Sequence, residues 1–162
     1  LLNQQINHDL YSAYLYLDIS NYYKDNGLDG FANWYKIQAQ EERDHAMLFM
    51  EYLQNNGYRV TLDAIAKPDK EFEGFKMPLE AGLEHEIIVT NLINAIYSQA
   101  AEVKDYRTIQ FLDWFVKEQG EEEANAEALI RKMELFGADP RGLYLLDTEL
   151  GARIYAPPSL VL

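Results

Sequence analysis

The stretch Gln40–His45, set in a long helical pattern, holds the side chains best suited to chemistry. Glu42 and His45 are three residues apart, so on a helix both leave the same face one turn apart. A carboxylate and an imidazole that converge in this way can hold one metal ion, most naturally iron, manganese or zinc. Because Glu and His share this spacing by chance in many helical proteins, the motif alone is a weak signal.

Acidic residues at the matching depth of three other predicted helices, Asp9, Glu86 and Glu122, favour the metal hypothesis. Each lies on the apolar stripe of its helix, where a carboxylate is costly unless something buried neutralises it. Taken singly, each could be a surface carboxylate, and Glu118–Glu123 could be a solvated face. Their joint placement favours a pair of cations, because carboxylates from two helices and Glu-rich motifs from two others form the two-metal site of certain four-helix bundles.

Composition narrows the class of protein. The chain has 162 residues, 48% of them hydrophobic, which is enough for one domain with a real core. Its 14 basic and 27 acidic residues give a net charge of −13, which argues against nucleic acid and anionic membranes as partners and suits a protein that attracts cations. The absence of cysteine excludes disulfides and thiolate-bound iron–sulfur clusters.

The sequence was also compared with the patterns typical of targeting segments. No signal peptide and no apolar run long enough for a membrane span is present, so a cytoplasmic protein is the default expectation. Because the first residue, Leu1, already falls within a helical pattern, we expect some N-terminal residues to be missing.

The apolar periodicity predicts an all-α chain. Helices are expected over about residues 1–24, 31–56, 79–104, 109–136 and 143–150. Asp25–Gly30 and Asp105–Thr108 are predicted to be short turns, and Gly57 is a good residue to end the second helix. Residues 58–78 carry Pro68, Gly74 and Pro78 and no sustained period, so we expect a long crossover. Two helix pairs joined by one crossover indicate a four-helix bundle.

Four segments carry a family resemblance: Leu10–Tyr16, Ala39–His45, His85–Glu86 and Phe111–Glu123. With them the chain resembles the ferritins, of the haem-free bacterial and archaeal kind, from Leu2 to Tyr144. The resemblance implies one ferritin-like domain over residues 1–162. Its four-helix bundle would cover about 1–136, a short fifth helix about 143–150, and a tail 151–162.

The family pattern, carried onto this chain, implies a ferroxidase centre. Its first iron site would use Asp9 and His45, with Glu42 as the bridge, and its second Glu86 and Glu122, with Gln119 alongside. A third iron site would draw on Glu41, Glu118, Glu121 and a shared Glu122. Tyr16 matches the tyrosine next to the centre and Trp114 the nearby tryptophan. From the sequence alone, Tyr16 could hydrogen-bond a ligand carboxylate, supply an electron or simply belong to the core.

The implied reaction is oxidation of Fe(II) to Fe(III) by O2 or peroxide, followed by mineralisation inside a hollow homo-oligomeric shell of 24 subunits. The function would be iron storage and detoxification. Haem is not expected, because bacterioferritin has a second Glu-x-x-His where this chain has Gln119-x-x-Glu122, and a haem-binding Met where it has Arg43. Rubrerythrin needs cysteines that this chain lacks.

Two departures leave alternatives open. Asp9 is one methylene shorter than the family's usual Glu, so a storage shell with a slow or impaired ferroxidase centre is the second hypothesis. A third is a structural bundle with exposed acidic residues. The start of the fourth helix, Thr108–Leu112, is neutral, which leaves open the route by which iron enters. The apolar tail Ala156–Leu162 is expected to pack on a neighbouring subunit or line a shell axis.

Overall fold

The computed structural model describes residues 1–162 and contains five α-helices and no strand. They are α1 (Leu2–Asp25), α2 (Asp29–Asn55), α3 (Met77–Glu102), α4 (Tyr106–Phe136) and α5 (Pro140–Gly151). The predicted all-α four-helix bundle with a short fifth helix is therefore confirmed. None of the helices is long and apolar enough to cross a membrane.

Short connections pair the helices of the bundle. Only residues 26–28 separate α1 from α2, and residues 103–105 separate α3 from α4, so each pair runs antiparallel. The two pairs make the most extensive packing contacts in the molecule. In the first connection Gly27 adopts a φ of 78°, a left-handed conformation that glycine reaches without strain.

The crossover between α2 and α3 runs beside the whole of α1. Near the start of α1, Asn3 exchanges two hydrogen bonds of 2.9 Å with the backbone of Thr61. Near its end, the Tyr23 hydroxyl donates to the carbonyl oxygen of Phe75 at 2.7 Å. The chain therefore crosses from one end of the bundle to the other before α3 begins, so α2 and α3 run in the same direction.

Two helices begin three residues earlier than the sequence predicts, and a capping side chain explains each. The carboxylate of Asp105 accepts from the amide of Thr108 at 3.1 Å, so the predicted turn becomes the first turn of α4. The carboxylate of Asp139 accepts from the amide of Gly142 at 3.1 Å, and α5 starts at Pro140, a favoured first helical residue.

The core of the bundle consists of two separate apolar clusters. The first contains Leu15, Tyr16, Ile19, Tyr23, Leu28, Phe31, Ala32, Tyr35, Ala39, Leu79, Leu129, Met133, Leu146 and Leu150. The second contains Ile6, Ala46, Phe49, Tyr52, Leu53, Val89, Ile93, Ile96, Phe111, Leu112 and Phe115. Each of the four long helices contributes to both clusters, so each must pass through the region between them.

Buried polar residues occupy that region on each of the four long helices. On α1, Asp9 falls between Ile6 of the second cluster and Leu15 of the first. Residues of the two clusters likewise lie on either side of Glu42 and His45 on α2, Glu86 on α3, and Gln119 and Glu122 on α4. These six residues, the polar layer, therefore divide the apolar core at one level of the bundle.

The fifth helix packs on the bundle through a close contact with α2. A Cβ on Gly30 would lie 1.6 Å from the carbonyl oxygen of Asp147, so only glycine permits this approach. The carboxylate of Asp147 also accepts from the amide of Phe31 at 3.0 Å. The tail beyond α5 then returns along its own bundle, where Leu160 packs against the second cluster. The tail therefore packs on its own chain, which the sequence did not suggest.

Candidate metal centre

The polar layer is almost completely shielded from solvent. Each of its six side chains belongs to a residue that is no more than 5% exposed. They are Asp9, Glu42, His45, Glu86, Gln119 and Glu122. Four carboxyl groups buried at one level would repel each other strongly if all were ionised, so they require protons or cations as partners.

Glu42 interacts electrostatically with each of the other three carboxyl groups. Neither of its carboxylate oxygens has a hydrogen-bond partner, although both are buried. Burial, and then the charge of Glu122, raises its pKa well above the ordinary value. His45 Nδ1 is 3.6 Å from Glu42 Oε2, too long for a hydrogen bond, and the His45 ring packs edge-on against Trp114 at 5.6 Å between centroids.

Asp9 is held on one side only. Gln5, one turn earlier on α1, donates from Nε2 to Asp9 Oδ1 at 2.7 Å, while Oδ2 is buried without a partner. Burial raises the pKa of Asp9 well above its ordinary value, and the charge of Glu42 raises it further. Gln5 therefore orients the side chain of Asp9, and one carboxylate oxygen of Asp9 stays unpaired.

Glu86 accepts hydrogen bonds from two sides. The Tyr16 hydroxyl donates to Oε1, and Gln119 Nε2 donates to Oε2 at 3.1 Å. Burial, followed by the charge of Glu42, raises the pKa of Glu86 to about 8. The same burial and the adjacent Glu86 raise the pKa of Tyr16, so its hydroxyl stays protonated and acts as a donor.

Glu122 has one amide partner. Gln38 Nε2 donates to Glu122 Oε2 at 2.6 Å. Burial, and then the charge of Glu86, raises the pKa of Glu122 to about 8. At neutral pH both Glu86 and Glu122 therefore favour the protonated form in the absence of a cation.

The layer suits small ions better than organic molecules. No three of its His, Asp and Glu side chains converge as a finished ligand set. Amide and hydroxyl donors hold several of the carboxyl groups. The cavity beside Tyr16, Glu86 and Glu122 is only about 10 Å³. The unpaired oxygens of Asp9 and Glu42, and the imidazole nitrogen of His45, are nevertheless of the donor types that iron, manganese or zinc accepts.

The residues predicted for a third metal site lie on the α2–α4 side of the layer. Glu41 and Glu118 are half-buried, and Glu121 is exposed. Burial raises the pKa of Glu118, the charge of His45 opposes this, and the charges of Glu121 and Glu41 add to it. Glu41 already has a cationic partner, because Arg153 Nη2 lies 2.6 Å from its Oε2.

Sequence reasoning missed three residues that position this site. Gln5 precedes the predicted ligand Asp9 by four residues, so its helical spacing was a signal that could have identified it. Gln38 offered no such signal, because its partner Glu122 lies on another helix, 84 residues away. Arg153 offered no local signal, because 112 residues separate it from Glu41.

Comparison with known proteins shows the family to which this chain belongs. The family model described as a ferritin-like domain matches residues 1–136, which include all four helices of the bundle and the whole polar layer. The chain belongs to the ferritin family. It is 40% identical to the bacterial non-heme ferritin of Staphylococcus saprophyticus over 154 residues, covering 95% of this chain and 92% of that relative. It is 39% identical to the bacterial non-heme ferritin of Campylobacter jejuni over 147 residues, covering 91% of this chain and 88% of the relative.

Solved ferritins from an archaeon have the same fold. An open pore ferritin of Archaeoglobus fulgidus superposes with a TM-score of 0.92 at 43% identity, covering 94% of this chain and 93% of that structure. A closed form of the Archaeoglobus fulgidus ferritin, engineered by site-directed mutagenesis, gives a TM-score of 0.94 at 42% identity, covering 96% and 94%. For this ferritin, the family and these relatives support iron binding and iron storage as the function.

Proposed function

We propose that this ferritin oxidises the iron it stores, with Fe(II) and O2 or peroxide as substrates. The observation that carries the proposal is the carboxylate of Glu42, a residue of the polar layer whose two oxygens are both buried without a hydrogen-bond partner. An unpaired buried carboxylate is costly by itself, and a cation on each side would offset that cost.

The proposal places one iron with Asp9 and His45 and a second with Glu86 and Glu122, with Gln119 beside the second. Glu42 would bridge the two. Its charge raises the pKa of both Asp9 and Glu86, which supports a position between the two groups. Carboxylate donors stabilise Fe(III) relative to Fe(II), so this ligand set would favour oxidation of the bound substrate.

The carboxyl groups themselves would release protons, and the surrounding residues would orient them. Since Glu86 and Glu122 have pKa values of about 8, they release protons when Fe(II) binds near neutral pH. Gln5 and Gln38 orient Asp9 and Glu122 through their amide groups. Tyr16, hydrogen-bonded to Glu86, is placed to orient that carboxylate and to supply an electron.

The Fe(III) product would be stored as mineral within a hollow shell of identical chains, which the family resemblance puts at 24 subunits. Large apolar side chains left exposed on α3 and α5, among them Ile87, Ile88, Tyr144 and Leu145, support assembly with further copies. In this proposal residues 1–162 form one ferritin-like domain that acts in the cytoplasm, without haem, nucleic acid or membrane as a partner.

A titration of Fe(II) without oxygen, followed by addition of O2, tests the proposal. We expect binding to saturate at two or three ions per subunit, and O2 uptake to be much faster than in buffer. Glu42→Gln should abolish at least one binding step and slow oxidation by about a hundredfold or more, because one bridging charge is lost. Glu51→Gln, an exposed glutamate on the same helix, is the matched control and should behave as the parent chain.

The alternative of a slow centre predicts a different pattern. If Asp9 is too short for fast oxidation, the parent chain binds iron but oxidises it no faster than buffer, and only Asp9→Glu gains speed. The proposal fails outright if neither chain binds iron in a Glu42-dependent way, which would favour a structural bundle.

A further inference from the structure

The segment after α5, residues 152–162, is held along the outside of the bundle at the level of the polar layer; we name it the C-terminal strap. Asn33 Nδ2 on α2 donates to the carbonyl oxygen of Arg153 at 3.2 Å, and the Tyr155 hydroxyl donates to Asp44. On α4, Trp114 Nε1 donates to Ser159 Oγ at 2.9 Å. The strap therefore bridges α2 and α4.

Arg153 makes the most specific contacts of the strap. Nη1 donates to the carbonyl oxygen of Trp34 and to Gln38 Oε1, each at 3.0 Å, and Nη2 donates to Glu41 Oε2 at 2.6 Å. The guanidinium also lies 4.2 Å above the centroid of the Trp34 ring. Three hydrogen-bond acceptors and an aromatic face therefore surround the planar guanidinium of Arg153. Together these contacts form a specific binding site for this side chain.

The binding site of the Arg153 side chain is connected to the polar layer through Gln38. Because Arg153 has only donors, it fixes the amide oxygen of Gln38 toward itself and leaves the amide nitrogen facing Glu122. The exposed side of the molecule is thus linked through two hydrogen bonds, Arg153 to Gln38 and Gln38 to Glu122, to a carboxyl group proposed as an iron ligand. Arg153 is a positioning residue for that carboxyl group.

The strap also covers a cleft that leads to the other side of the layer. This cleft of about 240 Å³ is lined by Glu41, His45, Trp114 and Glu118 from the bundle. Strap residues 156–159 line it from the outside. A cation that reaches Glu41 or Glu118 through the cleft must pass the strap, and at Glu41 it meets a site where Arg153 already sits.

We propose that the C-terminal strap regulates a cation site on the α2–α4 side of the centre, with the guanidinium of Arg153 acting as a built-in competitor for Glu41. A third divalent cation binds to Glu41 and Glu118 by displacing Arg153. Displacement frees Gln38 to turn, so occupancy of the outer site is transmitted to Glu122. This inference rests on the proposed function, since Glu122 matters here as an iron ligand.

Calorimetric titration with Zn²⁺ alone, without iron or oxygen, tests the competition on the full chain. The parent should bind two ions per subunit tightly and a third weakly. In Arg153→Gln the third should bind about tenfold to a hundredfold more tightly, the range expected when one charge-assisted hydrogen bond no longer competes. Arg141→Gln, which removes an exposed arginine that makes no side-chain hydrogen bond or salt bridge, is the matched control and should leave all three steps unchanged.

Tryptophan emission gives a second readout that does not depend on activity. The chain has two tryptophans, and both contact the strap: Trp34 lies beside Arg153, and Trp114 donates to Ser159. In the otherwise unchanged chain, Zn²⁺ beyond two equivalents should change the tryptophan emission, and Arg153→Gln should show the changed emission before any metal is added. Arg153→Lys keeps the charge but not the planar set of donors, so it should restore much of the competition while leaving Gln38 free.

Failure of this inference can be distinguished from failure of the proposed function. If the parent and Arg153→Gln both bind two ions and the third step is identical, the strap does not regulate the site, and the two-iron centre stands. Loss of the first two steps in the parent would contradict the proposed function itself. An unchanged tryptophan emission on binding of the third ion would also overturn the inference.

Discussion

Glu42, Glu86 and Glu122 set the chemical character of the centre through their protonation. Burial and mutual repulsion raise the pKa of each, to about 8 for Glu86 and Glu122. Without a cation, Glu86 and Glu122 favour the neutral acid form near pH 7, and in the proposed function a divalent ion would replace their protons. The proposed metal binding would therefore be coupled to proton release.

The stability of the metal-free protein should fall as pH rises. Unfolded glutamate ionises near 4.5, whereas Glu86 and Glu122 in the folded chain ionise near 8, so between these values the folded chain binds more protons. Stability is therefore highest below about pH 4.5 for these two groups, and it is lost as pH passes through 8. We expect a loss on the order of several kcal/mol between pH 5 and pH 9.

Urea unfolding at pH 5, 7 and 9 in the presence of a chelator measures this slope. The Glu86→Gln, Glu122→Gln double variant should show a much flatter profile, because neutral amides replace both titrating groups. A parent profile as flat as that of the double variant would mean that the two carboxyl groups are not buried as acids.

The placement of individual residues could be predicted where helical spacing decides it. Glu42 and His45 share a face because they are three residues apart, and Asp9, Glu86 and Glu122 reach the same level because the helices pair in register. The structure brings them into one buried layer, while their role as ligands stays a prediction. Contacts that depend on the tail, such as Arg153 with Glu41, could not be predicted, because no local pattern relates residues so distant in sequence.

At the scale of elements, the ends of helices were harder to predict than the helices themselves. Apolar periodicity indicates the middle of α4 and α5, but each starts where a side-chain cap, Asp105 or Asp139, satisfies the first amides. The path of the strap was also unexpected. Its packing on α2 and α4 depends on Trp114 and Arg153, whose partners come within reach only once the bundle has formed.

Docking of α5 depends on one glycine of α2. Gly30→Ala would place a Cβ 1.6 Å from the carbonyl oxygen of Asp147, so α5 must shift away or the bundle must distort. We expect a destabilisation of about 2 kcal/mol or more, together with altered emission of Trp34 as the strap that follows α5 moves. Thermal unfolding monitored by circular dichroism, with fluorescence in parallel, provides the measurement.

Gly120→Ala is the matched control for that change. Gly120 is an exposed glycine within α4, and a Cβ there would meet nothing within 4 Å. It should stabilise the helix by about 0.5–1 kcal/mol, because alanine loses less backbone entropy than glycine. If Gly30→Ala proved equally harmless, the contact between α2 and α5 would not be essential.

At the scale of the whole molecule, the polar layer interrupts the apolar core of the bundle. The two apolar clusters lie on either side of the polar layer, and all four long helices cross it. Such a layer weakens the bundle unless it is neutralised, and cations that bind the folded chain stabilise it by an amount that grows with the logarithm of their concentration relative to Kd. The fold and the proposed iron chemistry thus depend on the same residues.

The most direct test of this account is to locate bound iron in crystals soaked with Fe(II) under anaerobic conditions, using anomalous diffraction at the iron edge. The account predicts two strong peaks inside each bundle, between the two apolar clusters, with Glu42 in contact with both. Iron found only on the surface of the bundle, with the polar layer unchanged, would contradict it.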